Sequence, residues 1–175
     1  MLSNNDMQQM VILDSCISEA LRLSTGSLIM REVIEPCTLT LSSGHTYSFR
    51  KGDNVGIFPP LLHRDSRIYS NPEDFQYDRF VNVPAEYTID GTQVSSSLCF
   101  LPFGGGASYC PGRKFARNEI KTFVAQLFLR FDVSFENPAD APTLLEMDYS
   151  RAGLGIFFPK GGNVKLRVKR LTPAY

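Results

Sequence analysis

A cysteine in a glycine-rich turn, followed at once by a long apolar repeat, is the feature that most constrains this chain. Residues 103–112 read FGGGASYCPG, with the cysteine at Cys110. Glycines permit backbone conformations that other residues avoid and let the main chain approach a flat ligand closely. From about Arg113 to Phe131, apolar residues recur every three or four positions, which predicts an amphipathic helix. At the start of such a helix, free N–H groups and the helix dipole favour a thiolate at Cys110.

Three interpretations of this turn are open on its residues. A soft thiolate beside a glycine-lined surface suits iron, and an axial thiolate promotes O–O cleavage. A phosphate-binding glycine loop would end in Gly-Lys-Ser/Thr and follow a clear strand, and this turn does neither. An incidental cysteine in a glycine-rich connector is the third interpretation, and for Cys110 taken alone it is the favoured one.

Composition and charge exclude several classes of protein. The chain has 175 residues, 43% of them hydrophobic, which is enough to bury one sizeable core. Lys+Arg 18 against Asp+Glu 18 leaves no net charge, so a nucleic-acid partner is not expected. The sequence has neither a signal-peptide pattern nor an apolar run long enough to predict a membrane span.

The four cysteines are too widely separated to predict a zinc site or a disulfide scaffold. We expect the three outside the glycine turn to be small buried hydrophobic residues. They are Cys16, Cys37 and Cys99.

Periodicity and turn residues predict the other elements. They are a helix at 11–23, a small antiparallel sheet from strands 37–41, 47–49 and 55–58, a short helix at 60–64, an irregular stretch at 65–102, and a terminal hairpin pairing 154–158 with 164–168. An irregular stretch of that length often carries function.

The glycine turn and two further motifs resemble the cytochrome P450 family. The turn fits that family's heme signature, F-x-x-G-x-x-x-C-x-G. Glu19-Ala-Leu-Arg22 fits its E-x-x-R motif on the K helix, and Tyr77-Asp-Arg-Phe80 fits its later aromatic-arginine element. All three occur in the family's order, which makes coincidence improbable. The positions that fit the heme signature are Phe103, Gly106, Cys110 and Gly112.

This resemblance implies a heme b cofactor whose iron is bound by the Cys110 thiolate, with Phe103 near the sulfur. It implies that Arg31 reaches a heme propionate, since an arginine fork pairs well with a carboxylate, although Arg31 could equally be a strand-edge charge. His63 is expected to be a packed histidine and not an iron ligand. Ser108 departs from the basic residue that many members carry, and a serine offers only a neutral hydrogen bond.

The resemblance also implies a structural triad of Glu19, Arg22 and Arg79 that fixes the core beneath the heme. Residues three apart on a helix share a face, and a second guanidinium can complete a charged cluster. The alternative is an ordinary surface salt bridge, which would contribute well under about 1 kcal/mol.

The fold implied is an α+β fragment of the mainly-α cytochrome P450 fold. Residues 1–175 would form its C-terminal part, comprising a K helix, a small antiparallel sheet, a meander with the heme-thiolate loop at 103–112, an L helix at about 113–131 and a C-terminal β-hairpin. The N-terminal part of the domain and any membrane anchor are expected to be missing. We therefore expect the fragment alone to be inactive and marginally stable.

Within the family the chain resembles the branch of cholesterol and oxysterol 7α-hydroxylases, with sterol 12α-hydroxylase and prostacyclin synthase also similar. The stretch Ser150-Arg-Ala-Gly-Leu-Gly-Ile156 is typical of the first group. The implied function is a monooxygenase of the endoplasmic reticulum membrane that hydroxylates a sterol with O2 and electrons from NADPH-cytochrome P450 reductase. The alternatives are an endoperoxide isomerase that needs no reductase, and a truncated, non-catalytic heme-binding product. The residues expected by analogy to border the apolar substrate are Ser27, Leu28, Ile29, Met30 and Leu154.

Overall fold

The computed structural model describes residues 3–137, 147–153, 155–159 and 165–172. Its helices are α1 (Asn4–Gln9), α2 (Val11–Ser24), α3 (Pro59–His63), α4 (Ser96–Cys99) and α5 (Arg113–Arg130), with a 3₁₀ turn at Gly106–Ser108. Its strands are β1 (Ile29–Glu32), β2 (Cys37–Thr40), β3 (Thr46–Phe49), β4 (Asn54–Ile57), β5 (Glu86–Ile89), β6 (Thr92–Ser95), β7 (Phe131–Phe135), β8 (Met147–Gly153), β9 (Ile156–Pro159) and β10 (Leu166–Arg170). The two long helices, α2 and α5, lie where their apolar repeats predict them.

The predicted three-stranded sheet is wrong in its pairing. β2 and β3 form the expected hairpin, but β4 pairs with β1, so that Ile57 lies opposite Ile29. β1 has only four residues, of which the last two are charged, and this gave no strand signal in the sequence. Burial of Ile29 against the rest of the chain, and not its local pattern, makes this segment a strand.

The stretch from 65 to 102 is less irregular than predicted. It contains the hairpin of β5 and β6 and the short helix α4. Asp90 and Gly91 form the tight turn between these strands, with φ of 49° and 79°. An Asp-Gly pair between strands is a strong hairpin signal because both residues tolerate positive φ, so this hairpin could have been predicted.

This hairpin covers a small core. Tyr69 is buried beside Ile68 and Cys99, and its hydroxyl donates a hydrogen bond of 2.8 Å to the Cys99 carbonyl. Phe80 and Tyr87 pack against the same cluster. These three aromatic residues therefore build a core, whereas Phe75 and Tyr77 of the same stretch are exposed.

The predicted terminal hairpin is also wrong. β9 pairs with β8, and β10 pairs with β7, the strand that follows α5. In the β10–β7 register Val168 lies opposite Val133 and Leu166 opposite Phe135. Alternating apolar residues fit any strand of complementary alternation, so the sequence did not identify the partner. Residues 160–164, which include most of the predicted turn, lie outside the described residues.

The cysteines outside the glycine turn differ from one another. Cys99 is 1% exposed, as predicted for a small buried hydrophobic residue. Cys16 is only half-buried and Cys37 is exposed, so that prediction is wrong for Cys37. Cys37 begins a hairpin whose strands carry mostly exposed side chains, which leaves nothing to cover its thiol.

Helices α2 and α5 are joined by polar contacts. The ammonium group of Lys121 pairs with the Asp14 carboxylate at 2.5 Å, and Arg117 Nη2 donates to Ser18 Oγ at 2.9 Å. The residues of α5 that are buried are Lys121 and Ala125. Two aromatic residues of the same helix are exposed, Phe115 by 71% and Phe123 by 67%.

An apolar groove runs between α2 and α5. It is lined by Leu13, Cys16, Ile17, Ala20, Leu21, Ser24, Phe75, Ile120, Val124 and Ile156. Within the part of the chain that is described, no helix combines the length and the apolar character needed to cross a membrane.

Candidate functional site

The glycine turn presents Cys110 half-buried at the start of α5. The Cys110 N–H donates a hydrogen bond of 3.0 Å to the Phe103 carbonyl, which closes the segment into a loop. Gly104 and Gly106 have φ of +81° and +62°, a region that side chains rarely adopt. We call residues 103–112 the cysteine loop. The loop needs glycine at these two positions to bend, and the bend leaves the Cys110 thiol partly accessible.

The first residue of the helix that follows the cysteine loop contacts the end of the loop. Arg113, the first residue of α5, donates from Nη1 to the Cys110 carbonyl at 3.0 Å. The same guanidinium lies 4.1 Å from the centre of the Tyr109 ring, within the range of a cation–π contact. Backbone and side chain at the end of the loop are thus both held by Arg113.

Strand β1 brings Arg31 to the other side of the cysteine loop. Arg31 Nη2 donates a hydrogen bond of 2.6 Å to the Gly105 carbonyl. A Cβ at Gly106 would lie 3.6 Å from the same nitrogen, so the guanidinium covers the glycine closely. The structure therefore places the Arg31 guanidinium against the cysteine loop. The family resemblance had implied that this guanidinium pairs with a heme propionate.

The structure brings Glu19, Arg22 and Arg79 together. Arg22 pairs with Glu19 in a bidentate arrangement, with both N···O distances 2.8 Å, and Arg79 Nε donates to Glu19 Oε1 at 2.9 Å. The side chains of Glu19 and Arg22 are fully buried, and that of Arg79 is 8% exposed. A bidentate, buried geometry is stronger and more directional than a surface salt bridge.

The triad also holds the backbone between residues 63 and 72, part of the segment that leads to the cysteine loop. Arg22 Nη1 donates to the carbonyls of His63 and Pro72, both at 2.6 Å, and Arg79 Nη1 donates to Ser70 at 2.7 Å. Burial alone raises the pKa of Glu19, but hydrogen bonds from Arg22, the Gln76 N–H and Arg79 outweigh it and hold the pKa below its usual value. Glu19 is therefore charged in the folded chain.

The His63 ring makes two hydrogen bonds that the sequence did not predict. The ring is fully buried, and Nδ1 lies 3.1 Å from the Arg22 carbonyl oxygen. Nε2 lies 2.9 Å from the Leu101 amide nitrogen. A carbonyl only accepts and an amide N–H only donates, so Nδ1 carries the proton and Nε2 is the acceptor. Burial, aided by the charges of Arg22 and Arg64, lowers the pKa of His63 to about 4.

This buried neutral histidine predicts a pH dependence of stability. The ordinary pKa of His63 is 6.5 and its folded value is about 4, so the unfolded chain binds the proton first as the pH falls. The free energy of unfolding should therefore decline between pH 6.5 and 4, at up to ~1.4 kcal/mol per pH unit. Urea unfolding followed by circular dichroism at several pH values measures the decline.

The control for this prediction is His63→Gln, which cannot titrate. Glu19 and Asp65 have lowered pKa values, and their contributions are lost only below their ordinary values of 4.5 and 3.8. In His63→Gln, the free energy of unfolding should therefore no longer decline as the pH falls from 6.5 to 4.5. An equal decline in that variant would show that another group is responsible.

The segments predicted to border a substrate lie side by side. The Gly26 N–H donates to the Gly155 carbonyl at 2.7 Å, and a Cβ at Gly155 would lie 3.2 Å from the Ser27 Cβ. Ile29 is buried, whereas Leu28 and Met30 are exposed. The remaining predicted residue, Leu154, lies outside the described residues.

The cysteine loop fits a heme group. Gly104 and Gly106 adopt conformations that favour glycine, and they bend the main chain that carries Cys110. A half-buried thiol at Cys110 is the soft donor that iron favours, and Arg31 places a carboxylate-binding group at the same loop. Within the described residues, no group of three or more histidine, cysteine or carboxylate side chains could hold a metal ion.

A family model and individual known proteins that resemble this chain all point to the same family. A model of the family described as Cytochrome P450 matches residues 2–160. The chain is 39% identical over 171 residues to Cytochrome P450 7A1 of Sus scrofa, covering 96% of this chain and 33% of that protein. It is 40% identical over 161 residues to Cholesterol 7-alpha-monooxygenase of Cricetulus griseus, covering 90% and 31%.

A solved structure, the retinoic acid bound cyanobacterial CYP120A1, superposes with a TM-score of 0.69 at 29% identity, covering 98% of this chain and 35% of that one. This match confirms the predicted fold class. The chain spans about a third of the length of the curated relatives it matches.

Proposed function

The chain belongs to the cytochrome P450 family, and from that premise we propose that it supplies the heme-binding third of a sterol-hydroxylating monooxygenase. Members of the family bind heme through a cysteine thiolate. The observation that carries the proposal is the half-buried Cys110, presented from a glycine-bent loop directly before an 18-residue helix. When bound, the heme supplies the activation of oxygen, which electron donation from an axial thiolate favours.

The residues of this chain have the task of binding and orientation. In the proposal, Cys110 provides the sulfur ligand, and Phe103 lies at the base of the loop, where its carbonyl fixes the Cys110 N–H. Arg31 provides the charge for a propionate. The buried triad contributes no chemistry, and it holds residues 63–74 against α2.

The proposed substrate is a sterol, hydroxylated at the 7α position. Support comes from the names of the relatives, one of which is a cholesterol 7-alpha-monooxygenase, and from the apolar side chains near the β1 edge. Leu28 and Met30 are exposed there, and Phe157 lies against Gly26. Electron supply by NADPH-cytochrome P450 reductase and a place in the endoplasmic reticulum membrane are parts of the same proposal.

A chimaera tests this proposal. The first two thirds of the Sus scrofa Cytochrome P450 7A1 would be joined to these 175 residues, replacing the part that the chain matches. With heme, reductase, NADPH and cholesterol, we expect a 7α-hydroxylated product that is absent when NADPH is omitted. The intact relative serves as the positive control.

Other outcomes of the chimaera experiment separate the alternatives. Conversion of an endoperoxide without NADPH, and no sterol product, would favour an isomerase. A chimaera that folds and retains heme but converts neither substrate would favour a non-catalytic heme-binding product. A chimaera that folds but does not retain heme would contradict the proposal.

A further inference from the structure

We infer that His63 is a positioning residue for the cysteine loop. Its ring joins the loop to the buried triad through two hydrogen bonds, donating one and accepting the other. The inference concerns the loop itself, and it rests on the proposed function only for the claim that the loop carries a heme ligand. The two hydrogen bonds of the His63 ring go to Arg22 and Leu101, so the ring acts on the heme signature through Leu101.

The first half of this link joins His63 to helix α2. Its Nδ1–H donates to the Arg22 carbonyl at 3.1 Å, and Arg22 Nη1 donates back to the His63 carbonyl at 2.6 Å. The two residues are 41 positions apart in the chain and exchange hydrogen bonds in both directions. Because Arg22 is itself held by Glu19, the position of the His63 ring is determined by the triad.

The second half joins His63 to the cysteine loop. Nε2 accepts the Leu101 N–H at 2.9 Å, and the Leu101 carbonyl accepts the Gly104 N–H at 3.2 Å. The Leu101 side chain also packs beneath the loop, since a Cβ at Gly105 would lie 3.4 Å from Leu101 Cδ2. Leu101 thus contacts the His63 ring on one side and the loop's first turn on the other.

An imidazole suits this position because it is rigid and carries a donor and an acceptor on the same ring. Burial of the ring, aided by the charges of Arg22 and Arg64, disfavours protonation of His63, so the ring is neutral and Nε2 can accept a hydrogen bond. The Phe100 ring packs at 5.5 Å from the imidazole and restricts its rotation. Each of the two ring nitrogens can be replaced separately by an amide group.

Two substitutions in the heme-free 175-residue chain test the inference. His63→Asn places an amide near the Nδ1 position and removes the acceptor for Leu101, whereas His63→Gln can place an oxygen near the Nε2 position and retain that acceptor. Amide hydrogen exchange followed by mass spectrometry reads the Leu101 N–H and the loop up to Cys110. We expect His63→Asn to speed exchange at Leu101 and Gly104 about tenfold, which corresponds to ~1.4 kcal/mol.

We expect His63→Gln to leave that exchange near the wild-type rate. His45→Gln is the matched control, because His45 lies in the exposed turn between β2 and β3 and should change nothing in the loop. Equal acceleration in both His63 variants, or acceleration spread evenly over the chain, would indicate general destabilisation and overturn the inference. Unchanged exchange in His63→Asn would overturn it as well.

If His63→Asn does not fold, His63→Gln decides the question alone. A folded His63→Gln with wild-type protection at Leu101 supports the inference, and loss of that protection or failure to fold contradicts it. Because these measurements use no heme, they are independent of the proposed function. In heme-loaded protein, at equal heme content, His63→Asn should also show a smaller thiolate-type fraction in the reduced carbon monoxide spectrum than His63→Gln.

Discussion

Replacement of Cys110 by serine should abolish the thiolate-type Soret band of the heme-loaded chain. A serine hydroxyl has the shape of the thiol but stays protonated and is a poor ligand for iron, so heme would be held weakly or through another group. The purified chain is mixed with heme, reduced and exposed to carbon monoxide, and the absorption spectrum is recorded. We expect a complete loss of the thiolate-type band and not a partial decrease.

Cys37→Ser is the matched control for this experiment. Cys37 is also a free cysteine, but it lies exposed at the start of a surface hairpin. Its replacement should leave the spectrum unchanged. A thiolate-type band that persists in Cys110→Ser and disappears in Cys37→Ser would show that Cys37, and not Cys110, is the ligand. Only free-heme absorption in the wild-type chain would show that the chain forms no heme-thiolate site.

Replacement of Arg22 by methionine should unfold the chain or cost it several kcal/mol of stability. The substitution leaves the buried Glu19 carboxylate with fewer donors and the His63 and Pro72 carbonyls without the guanidinium that they bond. Removing one partner of a buried ion pair costs about 3–5 kcal/mol, a large share of the stability of a small domain. Urea unfolding monitored by circular dichroism gives the change in the free energy of unfolding.

Arg50→Met is an unusually close control. Arg50 and Asp53 have the same spacing of three residues as Glu19 and Arg22, but the Arg50 side chain is 89% exposed while that of Arg22 is fully buried. An exposed pair contributes at most about 1 kcal/mol. Similar losses in the two variants would mean that the buried triad is no more than an ordinary salt bridge.

The sequence predicted those parts of the site that depend on local order. Cys110 lies before a helix because the apolar repeat begins at Arg113, and Glu19 and Arg22 share a face because they are three residues apart on a helix. The pairing with Arg79 came from the order of the motifs, since 60 positions separate it from Glu19. Local pattern and motif order together were enough for the cysteine, the triad and the two long helices.

What the sequence did not predict depends on partners distant in the chain. Leu166 and Val168 alternate correctly for a strand, but alternation does not say that β7 is their neighbour. His63 was expected only to be packed, because its acceptor and donor lie 41 and 38 positions away. The hairpin at Asp90–Gly91 is different, since the Asp-Gly pair that indicates such a turn is present in the sequence itself.

The contacts of the cysteine loop have a consequence for the order in which the molecule can assemble during synthesis. Arg31 and His63, which reach the loop from β1 and α3, both precede Cys110 in the chain. Domains are made from the N-terminus onward, so the nascent polypeptide already carries both before the sulfur leaves the ribosome. When the cysteine loop emerges from the ribosome, the segments that carry these two tethers have emerged before it, whereas Arg113, which holds the Cys110 carbonyl, follows.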